Sequence, residues 1–253
     1  MRAVTAIARV TFREALRDRV LYLFLGFAIV LLAVSKLFGM LTVGDEGKVI
    51  EDLGLAGIQF FSMLIAVMMS VLLISREVER RTVYTVLTTP VRRWQFLLGK
   101  YLGLLLTVAA NLLLMTVVLI AVAALYQGEL EPMLLFGGVM TLLEMALVAA
   151  FAVLFSVVTR PILGSVMTFA VFVVGHVSED IWLLTAHLRG GGIVATVLYY
   201  LVPNLEWFNF KAEIVHDLAV SPAMVGWALV YGASYTAVVL LLACLWIERR
   251  DFE

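Results

Sequence analysis

The sequence predicts an all-α membrane protein with six transmembrane helices and both termini on the cytoplasmic side. Three observations lead there. Of 253 residues, 63% are hydrophobic and only 15% charged, and the mean hydropathy of +1.05 lies well outside the range of a soluble domain. Apolar blocks recur at the length a helix needs to cross a bilayer core, about 20 residues. The cations fall almost entirely on alternate connecting segments, which is how Lys and Arg mark the cytoplasmic side of a membrane protein.

Five blocks meet the length requirement: Val20 to Met40, Leu55 to Ser75, Tyr101 to Tyr126, Met133 to Val158 and Met224 to Ile247. A sixth, Ile162 to Leu183, is apolar up to Gly175 and then turns polar at His176, Ser178, Glu179 and Asp180. Its far end is therefore expected in the headgroup zone. With the N-terminus inside, the inner segments hold fourteen Lys and Arg residues and the outer segments three, Lys48, Arg189 and Lys211. Eleven acids, from Asp45 to Asp217, lie outside. No small-x-small cleavage pattern follows the first block, so the first span is expected to remain. The single cysteine, Cys244, excludes an intrachain disulfide and a cysteine-built zinc site. No repeat or low-complexity tract divides residues 1–253, which read as one transmembrane domain.

Residues 1–19 have helical spacing of Arg2, Arg9, Arg13 and Arg17 on one side and of Val4, Ile7, Ala8, Thr11 and Ala15 on the other. This predicts a basic amphipathic helix along the inner leaflet, its cations toward anionic headgroups.

The inner segment "REVERRTVYTVLTTPVRRWQFLLGK", residues 76–100, carries Arg76, Arg80, Arg81, Arg92, Arg93 and Lys100 against Glu77 and Glu79. Glu77 and Arg81 form an i,i+4 pair with the acid first, so the second span is expected to continue as helix. Thr88-Thr89-Pro90 breaks it, and Pro90 can open a new helix that becomes the third span. Charge alone would fix topology. The length, and the apolar Val83, Val86 and Leu87 among the arginines, point to docking of a cytosolic partner.

Between the last two spans, residues 184–222 hold an apolar run, Ile193 to Val202, too short to cross. It fits either a re-entrant piece or a helical cap on the fifth and sixth spans. "NLEWFNFKAEIVHDL" then mixes aromatics with charges, as a segment in the headgroup layer does.

Polar residues inside the spans are few. Glu144 lies near the middle of the fourth span, where a charge costs about 2.5–3.5 kcal/mol. It is expected in a translocation path or proton relay, or else as a protonated or paired contact between helices, a role also open to Asn111. His176, Glu179 and Asp180 share one helical face and are weak candidates for a metal site; such a trio near an interface is more often a set of solvated polar residues. Gly99 and Gly103 form a small-xxx-small pair that permits close helix contact.

"TFREALRDRVLY", "REVERRTVYTVLTTPVRRWQFLLGKYLG", "VPNLEWFNFK" and "ERRDF" together resemble the six-helix permeases of type-2 ABC exporters. The chain looks most like their multicopper-enzyme-maturation branch, whose best-known member serves copper insertion into nitrous oxide reductase. The resemblance implies an N-terminal elbow helix and a coupling helix seated in a separate cytosolic ATPase, with Glu79, Arg80, Arg81, Thr82, Pro90 and Arg93 making the coupling contacts. It further implies an outer hairpin, a second permease copy, identical or paralogous, and a bacterial inner-membrane location. The chain has no P-loop of its own: Gly47-Lys48 and Gly99-Lys100 are followed by Val49 and Tyr101, not by Ser or Thr. ATP and Mg are then bound by the partner ATPase, and this chain is not itself an enzyme. The expected role is an ATP-driven permease that moves a substrate or transmits force to an external protein partner. The alternative is an ion- or proton-coupled carrier built on Glu144. No nucleic-acid partner is expected.

Overall fold

The computed structural model describes residues 2–39, 46–79, 92–127, 131–186 and 202–249. Among them the chain is all helical: α1 Arg2–Ala15, α2 Arg19–Gly39, α3 Glu46–Glu79, α4 Arg93–Gln127, α5 Met133–Val158, α6 Pro161–Ala186, a 3-10 turn Leu205–Phe208, α7 Lys211–Val215 and α8 Pro222–Arg249. By length and composition four stretches are clear membrane spans, Gly47–Ser70, Arg93–Leu125, Met133–Val158 and Pro222–Glu248; Leu21–Ser35 and Ile162–Ser178 are shorter apolar helices. The protein is a multi-pass all-α membrane protein, and its helices coincide with the six apolar blocks.

The core is organised on α5. This helix packs against α3, α4, α6 and α8, and its small residues explain how it reaches four neighbours. A Cβ at Gly137 would stand 2.8 Å from Ile214, and one at Gly138 would stand 2.7 Å from Thr116. Met145, Leu147, Ala149, Ala150 and Ala152 are fully buried. In hydrocarbon, apolar burial gives no driving force between helices, so close approach through small residues and interhelical hydrogen bonds holds them together. The Tyr101 hydroxyl supplies one such bond, donating to the Ala146 carbonyl at 3.1 Å. Large apolar side chains on α2, α4, α6 and α8, such as Phe27, Leu113, Val166 and Leu241, stay exposed, as surfaces facing lipid do.

α1 is the helix its periodicity predicts, with Arg2, Arg9, Arg13 and Arg17 exposed. Its small face does not lie in lipid, however. Ala8, Thr11 and Ala15 are buried because this face sits on α4 at the Gly99 and Gly103 pair. A Cβ at Gly99 would meet Ile7 at 2.7 Å, and one at Gly103 would meet Thr11 at 2.5 Å and the Ala8 carbonyl at 2.7 Å. Lys100, buried beside the two glycines, stands 3.9 Å from the Glu14 carboxylate.

At the opposite end of the bundle, residues 202–221 fold back onto the helices. Asn204 caps the 3-10 turn, accepting from the Glu206 amide at 2.9 Å, and its own amide donates to the Tyr231 hydroxyl at 2.9 Å. Leu205, Phe208, Phe210, Ile214 and Val215 are buried, so this segment is packed into the bundle more deeply than a headgroup-layer strip. Gly175 of α6 admits it: a Cβ there would stand 2.8 Å from the Pro203 carbonyl. α7 ends as Asp217 takes a left-handed φ of 52°, letting the Leu218 amide reach back to the Glu213 carbonyl at 2.8 Å. The apolar run Ile193 to Leu201 lies outside the described residues.

Candidate functional site

Two places in the fold gather polar side chains that the bundle would otherwise exclude. One is a buried cluster under the 202–221 segment. The other is the junction of α1, α4 and α8.

In the cluster, Glu144 is the central group. It is the twelfth of the 26 residues of α5 and only 1% exposed. Gln59 of α3 donates from Nε2 to Glu144 Oε2 at 2.7 Å, and the same amide nitrogen lies 2.8 Å from His176 Nε2 of α6. The Gln59 carbonyl oxygen accepts from the Lys211 ammonium, which α7 inserts from outside the spans. His176 Nδ1 lies 2.9 Å from the Phe172 carbonyl. A carbonyl can only accept, so Nδ1 carries a proton there. Glu144 Oε1 lies 3.3 Å from His176 Nε2 and has no hydrogen-bond partner.

Each member arrives from a different element, which is why the cluster needs the whole bundle to exist. Burial pushes the Lys211 ammonium below its usual range; the Glu144, Asp52 and Glu206 carboxylates pull it the other way. A small cavity of ≈ 10 Å³ adjoins the cluster, between Gln59, Thr141, Glu144, Asn209 and Lys211, about the space a single water requires.

Of the residues singled out from sequence, Glu144 and His176 are brought together, and neither Gln59 nor Lys211 was foreseen with them. Gln59 carried a readable signal, a lone amide inside an apolar span. Lys211 read only as a flanking cation. Asn111 is 4% exposed and donates to the Thr107 carbonyl of its own helix at 2.8 Å, which satisfies it inside α4. The side chains of Glu179 and Asp180 lie outside the described residues. Among the described residues no group of three or more His, Cys, Asp and Glu is placed to hold a metal ion.

At the junction, Arg93 opens α4 and donates from Nη1 to the Ile247 carbonyl at 3.1 Å and the Glu248 carbonyl at 3.4 Å. A guanidinium at a helix C-terminus satisfies orphan carbonyls and opposes the negative end of the helix dipole. The start of α4, the end of α8 and the seat of α1 thus form one assembly. Of the other coupling candidates, Arg80, Arg81, Thr82 and Pro90, and the side chain of Glu79, lie outside the described residues.

Residues 5–251 match the family model described as ABC-2 family transporter protein. The chain belongs to the ABC-2 transporter family. No curated protein matches it. An ABC-2 family transporter protein is a permease, so the bundle is the membrane component of a transport system.

Proposed function

We propose that this chain is the transmembrane permease subunit of an ATP-driven exporter, with residues 76–100 docking a separate cytosolic ABC ATPase. The observation that carries the reading is the junction at the start of α4. Arg93 ties this helix to the end of α8, and Gly99 and Gly103 seat α1 on it, so force delivered at residues 80–92 enters three helices together. The segregation of fourteen cations to this end of the chain supports a cytoplasmic location for it and for both termini. The absence of a P-loop supports an external source of ATP hydrolysis. Glu79, Arg80, Arg81, Thr82, Pro90 and Arg93 are the proposed coupling contacts, α1 the elbow helix, and residues 184–222 the outer hairpin and interfacial segment. A second permease copy completes the path, and a bacterial inner membrane is the proposed setting.

The resemblance to the multicopper-maturation branch favours a role serving an external metalloenzyme, either by export or by mechanical transmission through residues 202–221. A carrier working without ATP has one observation in its favour: His176 and Lys211 join Glu144, giving three ionisable groups in place of one. Family membership favours the ATP-driven reading.

Purification from the native membrane, with and without Glu79, Arg80 and Arg81 changed to alanine, tests this. An ATPase retained by the wild type and lost by the variant supports the proposal. A wild type that retains none favours the lone carrier.

A further inference from the structure

Hydrogen-bond bookkeeping in the buried cluster leaves one seat for one proton. His176 Nδ1 is a donor, because it faces the Phe172 carbonyl. Its Nε2 accepts from the Gln59 amide at 2.8 Å, so that nitrogen carries a lone pair and the imidazole is neutral. Glu144 Oε1, 3.3 Å away, is then an acceptor facing an acceptor. It is the unpartnered atom of a side chain 1% exposed, and a proton placed on it would point at Nε2.

We propose that Glu144 and His176 form a proton-binding site that latches the 202–221 segment through Gln59 and Lys211, and that uptake of one proton releases the latch. With Glu144 ionised and Lys211 protonated the two charges cancel, and the Gln59 amide spans them: its NH₂ on Glu144, its carbonyl on Lys211. When a proton from water bonds to Glu144 Oε1, the new O–H donates to His176 Nε2. That nitrogen has a single lone pair, so the Gln59 N–H is displaced and the Gln59 carbonyl loses its aim at Lys211. The proton comes from hydronium, whose O–H bond breaks to leave water; no other covalent bond forms or breaks, and the cluster passes from net zero to +1.

An uncompensated cation held among apolar helices is costly, and a lysine on a short surface helix can withdraw its ammonium to the rim. Asp52 of α3 and Glu206 of the 3-10 turn act electrostatically on Lys211 there, and Glu206 acts also on Glu144 and His176. They are the carboxylates that would receive the released ammonium. The cavity beside Gln59, Glu144 and Lys211 is where a water could bring the proton. This site does not depend on which ATPase drives the permease.

The test uses the full chain in lipid nanodiscs, with Cys244→Ser and spin labels at Leu125→Cys and Ala219→Cys, both at exposed positions. Distance distributions are recorded between about pH 5 and 8, with infrared difference spectra on the unlabelled chain. The wild type should show a protonated-carboxyl band at the acid end that is lost in Glu144→Gln, together with a shift toward longer label distances. Glu144→Gln and Lys211→Met should both hold the long distances at every pH. The proposal is overturned if no carboxyl band depends on Glu144, or if the distance shift survives unchanged in Glu144→Gln. It is equally overturned if Lys211→Met, which removes the latch without touching the proton seat, still shows a pH-dependent distance.

Discussion

Arg93 and Ile247, 154 positions apart in the chain, are joined by a 3.1 Å hydrogen bond from a guanidinium to a helix-terminal carbonyl. The contact fixes the first turn of α4 to the last turn of α8, with α1 clasped alongside. Arg93→Ala should leave the fold intact and loosen this end, at a cost of about 0.3–1 kcal/mol. Amide hydrogen exchange should accelerate in the last turn of α8 and not at its start near Pro222. Uniform exchange along α8 in the variant would show that Arg93 anchors nothing.

The seat of α1 makes a sharper prediction, because it depends on Gly99 and Gly103 having no side chains. A Cβ at Gly103 meets both the Thr11 side chain and the Ala8 backbone carbonyl, and the carbonyl cannot rotate away. Gly103→Ala should lower stability by about 1–3 kcal/mol. Gly226→Ala, where nothing lies within 4 Å, should be neutral or raise it by about 0.4–1 kcal/mol. Thermal unfolding midpoints in detergent compare the two directly, and equal effects would place α1 elsewhere.

Gln59 carries more than its own hydrogen bonds. Gln59→Leu strands the Glu144 carboxylate and the Lys211 ammonium together, which should cost about 3 kcal/mol or more. Adding Glu144→Leu should recover part of that loss, with a coupling energy of about 0.5–3 kcal/mol in a double-mutant cycle. Strict additivity of the two changes would mean that they do not share one network.

Lys211 should also leave a mark on the pH dependence of stability. Burial lowers its folded-state proton affinity, so in the alkaline window below its ordinary value of about 10.4 the unfolded chain holds more protons than the folded one. Stability from this group then rises with pH through that window. Lys211→Met should remove the rise, read as a wild-type-minus-variant difference in unfolding midpoint that increases with pH across that window. A difference that falls with pH would have the sign wrong.

Much of the fold was legible in the chain. Each of the six apolar blocks lies in a helix, four of them clear spans and two shorter apolar helices, because hydrocarbon leaves a spanning backbone no option but to satisfy itself internally. The arginine period of the first nineteen residues became α1, and the helix expected to open at Pro90 is described from Arg93 onward, Pro90 itself lying outside the described residues. Glu144 declared itself by cost. What it faces did not, because Gln59, His176 and Lys211 come from three other elements and only packing decides which polar residue turns inward. His176 read as part of a solvated face with Glu179 and Asp180; in the bundle it turns to Glu144, since α6 packs there against α3 and α5. The docking of residues 202–221 was equally hidden, because aromatic residues mixed with charges suit both a headgroup layer and a packed cap.

The central claim, that an ATPase grips this permease at residues 76–100 from the cytoplasm, is tested most directly by a cysteine at Thr82 in a Cys244→Ser background. The account predicts zero-length or short-arm cross-linking of that cysteine to a polypeptide that is itself labelled by a photoreactive ATP analogue. It also predicts protection from a membrane-impermeant maleimide added to intact cells. Labelling of Thr82→Cys from outside the cell, with no ATP-binding partner captured, would contradict it.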